Sequence, residues 1–147
     1  MMHVLQEIDD PSKAKDWLLT ALKEKRKIMG FGHRVYKRGD SRAPTMNKWG
    51  KKVAEHVGEM KWHNIADVLE ETMVAEKNIY PNVDFPAGPA YYLMGFPIDL
   101  FTPIFVMARI TGWTAHVMEQ HENNRIIRPL SNYTGESERK VSTLDER

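Results

Sequence analysis

Asn64-Ile65-Ala66-Asp67-Val68-Leu69-Glu70-Glu71-Thr72-Met73-Val74-Ala75-Glu76-Lys77 decides the class of fold. Ile65, Val68, Leu69, Met73 and Val74 recur at three- and four-residue spacing, which places them on one face of an α-helix with carboxylates between them. The same period extends outward in both directions. Upstream, Asp10-Pro11 is a helix start, because proline in the first turn has no partner to miss. Ala14, Trp17, Leu18, Ala21 and Leu22 follow, and the net positive stretch Lys23 to Lys27 suits a helix end. Pro44 opens a segment with Met46, Trp49, Val53 and Val57 on one face, and Trp49, Met46 and Met73 are read as core. Downstream, a shorter helix is expected from Pro89 to Gly95, and a last one from Pro103 to Gln120. That last helix is apolar around much of its circumference and is expected to be the most buried. No period-two run, internal repeat or low-complexity tract interrupts this pattern, so the expected fold class is all-α.

The 147 residues suit one domain or a piece of a larger protein, and 41% hydrophobic content can support a core. Lys and Arg total 21 against 20 Asp and Glu, a balance that argues against general nucleic-acid binding. There are no cysteines, which excludes disulfides and thiolate metal sites and fits a cytoplasmic protein. The start, Met1 to Ile8, lacks the basic and apolar regions of a signal peptide. Leu100 to Ile110 is the longest apolar stretch, broken by Thr102, Pro103 and Arg109, and is too short for a membrane span. A soluble protein is expected, with residues from Glu136 to Arg147 frayed.

Three stretches rich in glycine, proline and charge separate the helices: Gly30 to Pro44, Tyr80 to Pro89 and Asn123 to Gly135. In the first, Gly30 and Gly32 would let a ligand approach the backbone where His33 projects, and Arg34, Lys37, Arg38 and Arg42 follow within nine residues. This is either a site for carboxylates or phosphates or a solvated basic loop with an incidental histidine. It is not a dinucleotide fingerprint, since position 35 is not glycine and no strand precedes it. Asp84, between Val83 and Phe85, is either a partly desolvated general base or a helix cap or turn former. Arg109 stands on an apolar helix and needs an anion, from the protein or from a substrate, or a path to solvent. Arg125 and Arg128 carry less information, since exposed arginines are common. The histidines have no metal-binding spacing; His116 and His121 are five apart and do not share a helix face. Arg38-Gly39-Asp40 and Asn132-Tyr133-Thr134 are chance matches to adhesion and glycosylation patterns.

Taken in order, these stretches resemble one family. Gly30-Phe31-Gly32-His33-Arg34-Val35-Tyr36-Lys37 with Asp40-Ser41-Arg42-Ala43 resembles the signature around the second catalytic histidine of bacterial citrate synthases. Asn82-Val83-Asp84-Phe85 resembles the segment with the catalytic aspartate, and Phe105 to Arg109 and Arg128-Pro129 resemble two substrate-binding stretches. The wording of Asp84 to Phe96 and of Arg109 to Gln120 is most similar to 2-methylcitrate synthases, which accept propionyl-CoA and often acetyl-CoA. The resemblance covers nearly the whole chain except its tail.

What the resemblance implies is specific. His33 would polarise the ketone of oxaloacetate, and Asp84 would remove a proton from the carbon beside the thioester. Arg42, Arg109 and Arg128 would hold carboxylates, the residue at Arg128 reaching into a partner subunit's site in a homodimer. Lys27, Ile28, Met29, Gly30 and Gly32, with Lys37 and Arg38, would lie along coenzyme A, an acyl-CoA being a substrate and no cofactor being held permanently. Residues 1–95 would form the small, mobile domain and residues 96–147 a segment returning to the large domain. A further histidine, which stabilises the enol, belongs to a stretch that precedes the residues resembled by Met1 to Ile8. The expectation is therefore a carboxy-terminal part of such an enzyme, inactive alone. The alternatives are a non-catalytic fragment that binds coenzyme A or an intact synthase, and a citrate-cleaving lyase relative.

Overall fold

Asp10 starts its helix as its chemistry requires, its Oδ1 accepting from the Ser12 backbone N–H at 2.9 Å and from the Ser12 hydroxyl at 2.8 Å. The computed structural model describes residues 1–138 and 141–146. It contains α1 (Met2–Ile8), α2 (Pro11–Lys23), α3 (Ala43–Val57), α4 (Lys61–Lys77), α5 (Asp84–Leu93) and α6 (Phe101–Glu122). Short 3-10 turns lie at Ile98–Leu100 and Leu144–Glu146. No β-strand occurs among the described residues, so the all-α expectation holds. Two compact units divide them, Met1–Ala108 and Arg109–Arg147.

In the first unit, α1, α2, α4 and α5 share one core of Met2, Leu5, Ile8, Ala14, Leu18, Trp62, Ile65, Ala66, Leu69, Met73 and Phe85. Leu5, Leu18, Ile65 and Leu69 are wholly buried. Each such side chain stabilises the fold by about 1.5–3 kcal/mol relative to exposure. Helix α3 packs on α5 instead, and at a small-residue contact. A Cβ added to buried Gly50 would lie 3.4 Å from the Ala90 Cβ and 3.7 Å from the Pro86 carbonyl oxygen. That close approach corrects the expected α3 face. Gly50 and Ala54 point inward, while Trp49 and Val57 are more than half exposed. Met73 is buried as expected.

Boundaries moved for identifiable reasons. Helix α1, absent from the sequence expectation, is only seven residues long, yet it buries Met2, Leu5 and Ile8. Helix α4 begins three residues earlier than expected, at Lys61, and so buries Trp62 and His63. Helix α5 starts at Asp84, with Pro86 in its first turn and Pro89 inside it. Pro89 removes one N–H from the helix interior without ending it.

Helix α6 overturns the expectation that it is the most buried element, since none of its residues is buried. Met107 is 73% and Met118 is 67% exposed. An apolar circumference records the surroundings a helix is suited to, and among the described residues only its first residue, Phe101, packs against the core. In the second unit, the described residues beyond α6 are exposed. Arg139, Lys140 and Arg147, part of the stretch expected to fray, lie outside the described residues. Among the described residues no helix is long and apolar enough to cross a membrane.

Candidate functional site

Two loops, 50 residues apart in sequence, are fastened together in the first unit. Gly32 N–H donates to the Tyr80 carbonyl at 2.8 Å, and Asn82 N–H donates to the Gly30 carbonyl at 2.9 Å. These bonds flank an isolated antiparallel bridge between Phe31 and Pro81. Phe31 and Pro81 are thus the non-hydrogen-bonded pair of the bridge, and the N–H that proline lacks is not needed there. The Asn82 side chain completes the join from both ends. Its Nδ2 donates to the Gly32 carbonyl at 3.0 Å, and its Oδ1 accepts from the Asp84 N–H at 3.0 Å. Beneath the join, the Phe31 and Phe85 rings pack with centroids 4.4 Å apart. The motif that carries His33 and the motif that carries Asp84 are therefore held in fixed register.

His33 is exposed, but its ring is not loose. Nδ1 accepts from the backbone N–H of Val35 at 3.0 Å and of Tyr36 at 3.2 Å. A nitrogen that accepts twice carries no proton, so the imidazole hydrogen sits on Nε2 and is available to donate. The Tyr36 ring stacks on the imidazole, with centroids 4.5 Å apart and planes 23° apart. Lys37 Nζ reaches back to the His33 carbonyl at 3.4 Å. The arrangement offers an oriented N–H to an electron-rich oxygen.

Arg42 lies beyond Tyr36, its guanidinium carbon 5.8 Å from that ring's centroid. It forms a two-point ion pair with Asp40, Nε to Oδ1 at 2.9 Å and Nη2 to Oδ2 at 2.7 Å, and its backbone N–H donates to Oδ1 at 3.0 Å. Asp40 is buried while the Arg42 side chain is half exposed. The Arg42 guanidinium holds the Asp40 carboxyl far below the usual carboxylate range, outweighing the burial that pushes it up. The Arg42 backbone N–H adds to the effect, and the Val83 N–H adds the smallest share. Arg42 is raised in turn, chiefly by Asp40, with the Asp84 charge a lesser contribution.

Asp84 is the first residue of α5 and is exposed, so the partial desolvation expected from its apolar neighbours does not occur in this chain. The first turn of a helix is a favourable place for a carboxylate. The cap reading is also revised, because Asn82 rather than Asp84 supplies the side-chain oxygen to the helix start. In the expected coenzyme A stretch, Gly30 and Gly32 have φ of +91° and +75°. Ile28 packs against the core, Met29 is 54% exposed, and Lys27, Lys37 and Arg38 are exposed cations. Arg109 and Arg128 belong to the second unit, Arg109 on α6 and Arg128 after its end. Sequence reasoning missed Asp40, Tyr36 and Asn82 as parts of the site. The short Asp40-Ser41-Arg42 spacing was the available signal for the first.

Fold and site define a helical protein that carries an oriented imidazole N–H, a carboxylate and a guanidinium on two joined loops. Residues 1–130 match the family model described as citrate synthase, C-terminal domain. The chain is 54% identical over its whole length to 2-methylcitrate synthase 1 of Corynebacterium glutamicum, of which it spans 39%. It resembles the solved structure of a citrate synthase from the archaeon Thermoplasma acidophilum in ternary complex with carboxymethyl coenzyme A and oxaloacetate. That likeness has a TM-score of 0.79 at 36% identity and covers 99% of this chain and 40% of the other. A citryl-CoA lyase from Hydrogenobacter thermophilus is also similar, at a TM-score of 0.68 and 26% identity, covering 99% of this chain and 59% of that one. The chain belongs to the citrate synthase family, and it corresponds to the carboxy-terminal part of its curated relatives.

Proposed function

We propose that this chain supplies half of a citrate synthase-type active site, which condenses propionyl-CoA or acetyl-CoA with oxaloacetate and hydrolyses the thioester. The observation that carries this reading is the loop join, which fixes His33 and Asp84 in one register. Asp84 takes a proton from the carbon beside the thioester, and that carbon attacks the ketone carbon of oxaloacetate. The His33 Nε2–H donates to the ketone oxygen as negative charge gathers there. Arg42, Arg109 and Arg128 hold carboxylates, Arg128 across a homodimer interface, and Lys27 to Gly32 with Lys37 and Arg38 line coenzyme A. Water then cleaves the thioester and releases coenzyme A. No permanently bound cofactor enters these steps. In this reading residues 1–95 are the small domain, residues 96–147 return to the large one, and the protein works in the cytoplasm.

The chain spans 39% of its Corynebacterium relative, and the histidine that the family places on the thioester oxygen has no motif match among its six histidines. Thiol release is therefore assayed with the chain alone and after co-expression with the portion of that relative the chain does not span. The expected result is no turnover alone and oxaloacetate-dependent thiol release in combination. His33→Ala should then cost about 10²–10³ in rate, and Asp84→Asn about 10²–10⁴. Turnover by the chain alone would refute the half-site reading, and indifference to both substitutions would refute the assignments. Binding of coenzyme A without turnover in combination would favour a regulatory fragment. The likeness to a citryl-CoA lyase supports a second reading, cleavage of citryl-CoA, which the same mixture tests with that thioester as substrate.

A further inference from the structure

We propose that Asp40 is a positioning residue of this site: its carboxylate sets the guanidinium of Arg42. The inference rests on the reading of the site as a dicarboxylate-binding one. Asp40 is 4% exposed, yet no catalytic step uses it. A buried carboxylate requires compensation, and Asp40 receives it from the Nε–H, Nη2–H and backbone N–H of Arg42. The N–H of Val83, the residue before Asp84, adds a weaker contribution.

The bonding leaves Arg42 able to bind a ligand. A guanidinium has five N–H donors in a rigid fork. Asp40 uses the Nε–H and one Nη2–H, so both Nη1 hydrogens and the second Nη2 hydrogen remain. With its side chain 50% exposed, Arg42 is a pinned cation rather than a spent one. Pinning also reaches His33, since Arg42 lies over one aromatic ring, Tyr36, and that ring stacks on the imidazole. A flexible arginine would have to be ordered when a ligand binds, at a cost of about 0.5–1.5 kcal/mol per immobilised side chain. Asp40 has already ordered this one.

The test uses the whole chain with Asp40→Asn, which keeps the side-chain shape but replaces one acceptor with an NH2 group facing the guanidinium. Arginine Nε–H resonances of the chain are followed by ¹H–¹⁵N NMR, and oxaloacetate and coenzyme A are titrated separately by calorimetry into the chain co-expressed with the portion of its Corynebacterium relative that it does not span. In the unmodified chain Arg42 should give a resolved, slowly exchanging Nε–H. In D40N that signal should collapse into the bulk arginine position, with oxaloacetate binding weakened about tenfold or more and coenzyme A binding unchanged. A purely structural ion pair would weaken both ligands together and would overturn the proposal, as would a retained Arg42 signal in D40N. If D40N does not fold, Asp40→Glu replaces it. The same charge one methylene further out should keep the Arg42 signal but shift it and weaken oxaloacetate severalfold, and unaltered affinity would overturn the proposal. Absence of oxaloacetate binding by the co-expressed combination would instead refute the functional reading beneath the proposal, and the NMR result would show that difference.

Discussion

Substituting Gly30→Ala tests how tightly the two loops are fastened. Two costs arise from the structure. Gly30 has φ +91°, where an L-side chain is strained by about 1–2 kcal/mol. A Cβ there would also lie 2.9 Å from Phe85 Cδ2, 3.1 Å from Phe85 Cβ and 3.3 Å from Met1 Sδ. Phe85 is fully buried and cannot swing away, so the overpacking adds about 1–3 kcal/mol. The sum is about 2–5 kcal/mol, and at about 4 °C per kcal/mol for a domain near 100 residues the Tm should fall by about 8–20 °C. Gly58→Ala is the control. It has φ +76° with nothing within 4 Å of the added Cβ, so it incurs only the backbone cost. Thermal unfolding followed by circular dichroism compares the two. Equal shifts would show that the Phe85 contact is not rigid, and would refute the claim that Gly30 is held against the residue adjoining Asp84.

Other perturbations have equally definite outcomes. Asp40 is depressed in the folded state, so its contribution is fully present above about pH 4, the unfolded carboxylate range, and is lost as pH falls through the lower folded value. Urea denaturation should therefore show a gap between the unmodified chain and D40N that is constant from about pH 5 to 7 and narrows below about pH 4. A gap independent of pH across that range would contradict the assignment. Asn82→Ala removes two hydrogen bonds at 3.0 Å and should destabilise by about 1–3 kcal/mol, measured as a lower urea midpoint. Leu69→Ala should cost about 2–5 kcal/mol because its side chain is wholly buried. Trp49→Ala should cost less than about 1 kcal/mol, Trp49 being 58% exposed, and a core-sized loss in the same melt would restore it to the interior.

Periodicity carried the fold because each interior helix buries one face against its neighbours. Ile65, Leu69 and Met73 fell on the expected side of α4. It failed on α3, where a glycine and an alanine permit a close helix contact and leave Trp49 outside, since small residues are invisible to an apolar count. It failed on α6 for a different reason: residue pattern specifies a preferred environment and not the presence of that environment. Within the site, His33 and Asp84 stood out because imidazole and carboxylate groups beside glycine and proline invite a chemical reading. Asp40 did not stand out. Its importance comes from burial and from a guanidinium two residues away, and only three dimensions supply the first. Asn82 was hidden similarly, since a side chain that bonds one loop while capping the next helix has no local sequence period.

The Phe31–Pro81 bridge has a kinetic consequence. Its two flanking backbone bonds join segments 50 residues apart, with no longer ladder to fray bond by bond. The amides of Gly32 and Asn82 should accordingly exchange with solvent as a pair, through one shared opening. Each such opening releases the register of His33 and Asp84 at once. Whatever ligand closes over them therefore meets either a complete arrangement or none.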